Sequence, residues 1–183
     1  GASTADVPRP LVGSVPYGGA GIFDCVTPGT VAFTFDDGPY LYTEDVLDKF
    51  KRYNAKATFF ITGNNLGKGP IDSTPAWSKV IKSAFTRYKS IKLTVIDFDV
   101  DTAGYLNTDV SRIQKSKDIW DSTIAAADPA TSNFLEIEHD IHYQIAYNLT
   151  DHILDSMYSR GFRSVTVGEC LGDPPANWYR PGN

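Results

Sequence analysis

A short apolar run, Thr30-Val31-Ala32-Phe33, feeds directly into Thr34-Phe35-Asp36-Asp37-Gly38-Pro39. The run reads as a buried strand over about residues 30–36. Two adjacent carboxylates stand where it ends, and a Gly-Pro turn follows. Side chains along a strand alternate faces, so Asp36 and Asp37 point different ways unless the chain bends between them. Acids this close repel, and one of them can have a raised pKa and act as a base unless a cation neutralises the pair. A solvated Asp-Gly turn is the plain alternative. The strand feeding the pair places it instead at the mouth of an α/β fold, where ligands gather.

The flanking pattern extends this into a βαβ unit. Thr43-Glu44-Asp45 offers a Thr cap and acids in a first helical turn. Val46, Leu47, Phe50 and Tyr53 form the apolar stripe, and Asn54 suits the stop. Ala57-Thr58-Phe59-Phe60-Ile61-Thr62 then reads as a fully buried parallel strand. Gly63 to Gly69 reads as a plain turn-rich loop, because its glycine spacing is not that of a phosphate-binding loop. Downstream, the periodicity predicts a helix over 75–88, a strand over Ile91–Phe98 and a helix over 109–126. A strand over 134–139 follows, with Leu135, Ile137 and the acids Glu136 and Glu138 on alternate faces. A helix over 147–160 capped by Gly161, a strand over Phe162–Val167 and an irregular tail from Gly168 complete the order. The chain is thus an α/β protein with five strands in a parallel sheet. Residues 1–28, rich in Gly, Pro and Ser, read as an extended N-terminal segment, and 29–183 as a single domain.

With 183 residues the chain is long enough for one sizeable core. A net charge of −5 without a basic run argues against a nucleic-acid partner. No apolar stretch approaches the roughly 20 residues of a membrane span. The two cysteines, Cys25 and Cys170, are either two buried thiols or a bridge closing a very long loop. Such a bridge contributes about 4–5 kcal/mol in the chain-entropy picture. The sequon Asn148-Leu149-Thr150 marks Asn148 as a candidate glycosylation site. Both features suit a secreted or cell-wall protein.

Thr34 to Pro39 resembles the first motif of the NodB-type polysaccharide deacetylases, carbohydrate esterase family 4. That family includes chitin deacetylases and acetylxylan esterases. The resemblance to its fungal chitin deacetylases runs over Thr30–Gly69 and Phe134–Arg180. It implies a distorted (β/α) barrel, an acetylated polysaccharide (chitin, chitooligosaccharide or xylan) as partner, and zinc or another divalent metal. By resemblance Asp36 is the catalytic base and Asp37 a metal ligand. Leu135-Glu136-Ile137-Glu138-His139 resembles the late motif, which makes His139 the catalytic acid and places Ile137, with Leu135, at the acetate pocket. Tyr105 keeps the aromatic of an Asp-x-x-Asp-aromatic motif that starts at Asp101, and Tyr40 adds a second aromatic for substrate. Cys25 and Cys170 fit one of the fungal disulfides.

The chain departs from the family pattern in three places. Gly104 stands where the second Asp of the Asp-x-x-Asp motif belongs. No histidine precedes His139, so the metal-binding histidine pair of the second motif is missing. The Arg-x-Pro-aromatic third motif is missing as well. Between Ala84 and Leu93 the chain is roughly 60 residues shorter than the resemblance requires, more than a loop trim. The expected barrel is therefore shortened by roughly two to three strand–helix units. Three functions follow in order of weight: a metal-dependent polysaccharide deacetylase, a catalytically impaired glycan-binding relative, and a metal-dependent phosphohydrolase. The last rests on the acids from Asp97 to Thr102, whose spacing misses the Asp-x-Asp-x-Thr signature at its fifth position.

Overall fold

The structure, a computed structural model, describes residues 13–15, 21–85 and 96–178. Its centre is β1 (Thr30–Asp36), buried along its whole length until Asp36. On one side β1 pairs in parallel with β4 (Phe134–Glu138), from Val31↔Phe134 to Phe35↔Glu138. Two short parallel strands share its other side. β5 (Arg163–Val165) lies against Thr30–Ala32, and β2 (Thr58–Phe60) lies against Thr34–Asp36. β3 (Val100–Asp101) adds in parallel to the outer side of β4.

The alternation of β1 sorts two cores. Val31, Phe33 and Phe35 face the helices α1 (Thr43–Arg52), α3 (Ile113–Ala125) and α4 (Thr150–Ser159). There Phe33 and Phe35 meet Phe50 edge-on at 5.3 and 5.6 Å, and Trp120, Ile153, Leu154 and Met157 close the layer. Each such side chain contributes on the order of 1.5–3 kcal/mol by leaving water. Ala32 faces the other way, into a smaller cluster with Leu135, Val165, Val167, Cys25 and Cys170.

Several elements differ from the sequence reading. β2 is three residues long and half-exposed, with Phe60 37% exposed, not a buried strand over Ala57–Thr62. Nothing among the described residues pairs with its outer edge, so it is an edge strand. Of the strand expected over Ile91–Phe98, residues 91–95 lie outside the described residues. Ile96 makes a single parallel bridge to Ile22, and the paired strand begins at Val100. The sheet is therefore open between β2 and β3 among the described residues, where a barrel would close.

Both acids of β4 are buried, at 0% for Glu136 and 2% for Glu138, so the acidic row faces inward. Registered with Phe33 and Phe35, it points to the helix side. α2 (Pro75–Phe85) is the expected helix, and residues 86–88 of its expected range lie outside the described residues. α3 starts at Ile113 rather than Asp109, because Asp109 spends its carboxylate on the Ser111 backbone, the Ser111 hydroxyl and Arg112. The tail is not irregular throughout. Thr166 and Glu169 form a reciprocal capping box on α5 (Val167–Cys170).

Candidate active site

The mouth forms where β1 ends. Asp37 has φ +67°, a left-handed conformation that turns the chain sharply after Asp36. For a non-glycine residue that costs on the order of 1–3 kcal/mol and persists only where neighbours hold it. Two do. Asn65 Nδ2 donates to the Asp37 carbonyl at 3.1 Å, and Lys68 Nζ donates to the Asp37 and Pro39 carbonyls at 3.2 and 2.9 Å. Lys68 is itself tied down through its carbonyl, which accepts from Trp77 Nε1 at 2.9 Å. The loop that reads as plain turn residues is therefore the clamp on the acid pair. Its glycine spacing gives no hint of that role, because the contacts are made across the mouth.

A second support was also hidden in the sequence. Thr43 does not cap α1; Tyr42 holds that position without a side-chain bond. The Thr43 hydroxyl instead accepts from Tyr40 N at 2.8 Å and donates to Asp140 Oδ2 at 2.5 Å. Asp140 is fully buried, and burial raises its pKa to about 6 against the pull of Thr43 and Lys68. Its Oδ1 lies so close to Gly38 that a Cβ there would stand 2.7 Å away. Gly38 is thus required by the carboxylate packed beneath the turn.

Asp36 opens onto a cleft of about 220 Å³ lined by Thr34, Phe60, Ile96, Asp97, Phe98 and Ile137. The cleft lies in the opening between β2 and the stretch before β3. Burial raises the Asp36 pKa, the nearby His139 lowers it, and Asp37 raises it again. Asp36, Ile137 and His139 are therefore brought to one place. Tyr105 joins them, with its ring edge-on to His139 at 5.7 Å and its hydroxyl donating to Asp101 Oδ2 at 3.4 Å. His142 is near enough to His139 and Asp37 to feel both charges, and desolvation lowers its pKa.

Other expected residues fall elsewhere. Leu135 is fully buried in the smaller core, one pleat below Ile137, and does not line the cleft. Tyr40 stacks on Trp77 at 5.6 Å beside the Gly38-Pro39 turn. Cys25 and Cys170 form a disulfide. Asn148 lies in a helical segment with its amide engaged, accepting from Lys117 and donating to Gln144 at 3.0 Å. Asp99 is committed to the sheet, with Oδ1 accepting from Leu135 N at 2.6 Å. That contact occupies Asp99, while Asp97, the other acid of the phosphohydrolase reading, lines the cleft.

The mouth does not assemble the donors a divalent metal needs. Among the described residues no group of three or more His, Cys, Asp or Glu side chains is placed to hold one. Asp37 is the only expected ligand present, and the Lys68 ammonium beside it already supplies a positive charge there. Four buried atoms at the mouth nevertheless lack hydrogen-bond partners: Asp36 Oδ1, Asn65 Oδ1, His139 Nδ1 and Asp140 Oδ1. Each can accept a proton donor, which fits a polar ligand entering the mouth.

The family model for polysaccharide deacetylase matches residues 24–88. A chitin deacetylase from Colletotrichum lindemuthianum is 27% identical over 217 residues, covering 88% of this chain and 87% of that protein. A chitin deacetylase from Arthroderma benhamiae is 30% identical, covering 94% of this chain and 59% of that protein. The solved structure of the Colletotrichum chitin deacetylase superposes with a TM-score of 0.75 over 92% of this chain and 98% of that one. In sequence and in fold the chain is similar to the polysaccharide deacetylases. The Colletotrichum alignment spans 217 positions, yet 88% of 183 residues is about 161, so about 56 positions of the relative have no counterpart here. The family-model match ends at residue 88, inside the stretch where the sequence is shortened.

Proposed function

We propose that this chain binds an acetylated polysaccharide of the chitin type at the mouth and is severely impaired in removing its acetyl groups. The observation that carries this is the split between what the mouth keeps and what it lacks. Asp36 and Ile137 line the cleft, and His139, with Tyr105 against its ring, stands near Asp36, while the metal donors are reduced to Asp37. Chitin deacetylases among the relatives supply the substrate class.

A burial-raised carboxyl at Asp36 suits a base that takes a proton from water, and His139 beside it suits an acid that gives one to a leaving amine. The described residues, however, assemble no metal site to polarise an acetyl carbonyl, and that stabilisation usually carries the largest share of such a rate. The pair is thus retained without what polarises its substrate. The disulfide and the fungal relatives support a secreted or cell-wall location.

A second reading, a zinc-dependent deacetylase with ligands supplied from elsewhere, is favoured by the four unpartnered acceptors at the mouth. Acetate release from acetylated chitooligosaccharides and acetylxylan, with zinc and with a chelator, separates the two. The expected result is oligosaccharide binding in calorimetry with no zinc-dependent acetate. Chelator-sensitive release would establish the second reading instead.

A further inference from the structure

Beside the mouth stands a group of aromatic rings that the acid–base chemistry does not use. Tyr42 rises from the turn after β1, and Tyr143 and Tyr147 rise from the segment after β4. β1 and β4 are parallel neighbours, so the two segments that carry these tyrosines leave the sheet at the same end as Asp36 and His139. The rings of Tyr143 and Tyr147 lie 4.7 Å apart at 41°, and Tyr42 meets both edge-on at 5.7 and 5.8 Å. Tyr143 is 55% exposed and Tyr147 38%, large areas for aromatic residues that touch one another.

The group is held in place from below. The Tyr147 hydroxyl donates to the Asp45 carboxylate, a bond that helps raise its pKa to about 12 and keeps it a neutral donor. Lys49 Nζ sits 5.6 Å from the centre of the Tyr147 ring. Lys49 is itself buried and anchored to Ala146 O at 2.7 Å and Asp151 at 2.6 Å. The shelf is therefore ordered before any ligand arrives, which lowers the entropy lost on binding.

We infer that Tyr143 and Tyr147, braced by Tyr42, form a sugar subsite that stacks a pyranose ring of the same chain whose acetylated residue occupies the cleft. This rests on the glycan reading of the mouth. An aromatic face takes the C–H face of a neutral sugar, and tyrosine adds a polar tip for its hydroxyls. At the shelf the Lys49 charge is already paired with Asp151, which leaves the Asp45 carboxylate under Tyr147 to disfavour an anionic glycan. The occupant is therefore a neutral N-acetylhexosamine unit, and longer oligomers gain affinity by reaching the shelf.

The test is calorimetry with acetylated chitooligosaccharides of two and five units on the full chain, wild type and Tyr143→Ala. Tyr143 is chosen because it is exposed, and an unchanged near-ultraviolet spectrum outside the tyrosine contribution checks the fold. The wild type binds the pentamer more tightly than the dimer. Tyr143→Ala loses about 10-fold in pentamer affinity and little in dimer affinity, while Tyr143→Phe keeps most of both. If Tyr143→Ala retains the full gain with length, the shelf is not a subsite although the glycan reading stands. If the wild type binds neither oligomer, both ideas fall.

Discussion

Gly104 shows how far one position can depend on its neighbours. It stands where the family pattern has an acid, and restoring that acid looks from the sequence like a repair. A Cβ on Gly104 would sit 2.4 Å from Glu138 Oε2 and 2.8 Å from Ile145 Cδ1. Gly104→Asp is therefore expected to destabilise the chain by about 2–4 kcal/mol in urea unfolding. Adding Glu138→Ala should recover much of that loss; equal destabilisation in both backgrounds would separate the two positions. Glu138 has a second consequence. Burial, with the nearby Asp101 charge, raises its pKa from 4.5 to about 7 despite a hydrogen bond from Thr102, and burial with the Glu138 charge raises Glu136 well above its ordinary value. Asp140 is raised from 3.8 to about 6 for the same reason. The folded chain thus keeps protons that the unfolded chain releases above about pH 4–4.5. For acids with raised folded pKa values, stability is fully present below the unfolded value and is lost as pH climbs through the folded one. Denaturant midpoints should therefore fall between pH 4.5 and about 7, and Glu138→Gln should flatten that fall.

Among the elements, β1, α1 and the order of strands and helices were legible because each carries its own period or cap. Asn54 with φ +50° and Gly161 with φ +85° end α1 and α4 as their residue types suggest. The even cysteine count and the sequon at Asn148 favoured a Cys25–Cys170 bridge over two free thiols, and the fungal resemblance added to that. What was not legible depends on partners distant in sequence. Thr43 looks like a cap until Asp140, 97 positions on, claims its hydroxyl. The Gly63–Gly69 loop looks inert until Lys68 meets the Asp37 carbonyl. The alternation in β4 fixes two faces but not that the acidic one is buried, which follows from the helix layer above Glu136 and Glu138.

The segment Ile145–Leu149 gives the sharpest case, because it winds as a π-helix before α4. Such a turn shifts carbonyls out of the usual ladder. Thr150 Oγ1 takes up Ile145 O at 2.8 Å, and the buried Lys49 takes up Ala146 O. An apolar substitution, Lys49→Met, keeps the stem's packing and leaves Ala146 O without its ammonium. The expected cost is about 2 kcal/mol, with faster hydrogen exchange confined first to residues 145–150. Uniform acceleration across α1 and α4 would instead make Lys49 a general packing residue.

At the scale of the molecule, the sheet is open between β2 and β3 among the described residues, and the cleft lies in that opening. That opening leaves the edge at Phe60 half-exposed. The ends of the described chain are tied outside the sheet. Val26 N donates to Cys170 O at 2.8 Å, and the Cys25–Cys170 bond joins residues 145 positions apart. The bond sits in the smaller core against Ala32, Leu135 and Val165, on the face of β1 opposite the main helix layer. Closing so long a loop removes unfolded-state entropy worth about 5 kcal/mol in the chain-entropy picture, a large part of the roughly 5–15 kcal/mol that folded domains have. Reduction is thus expected to lower the unfolding midpoint steeply. Replacing both cysteines, Cys25→Ala with Cys170→Ala, should do the same under oxidising conditions and make the chain insensitive to reductant. A double variant as stable as the oxidised chain would mean that the smaller core alone holds these ends together.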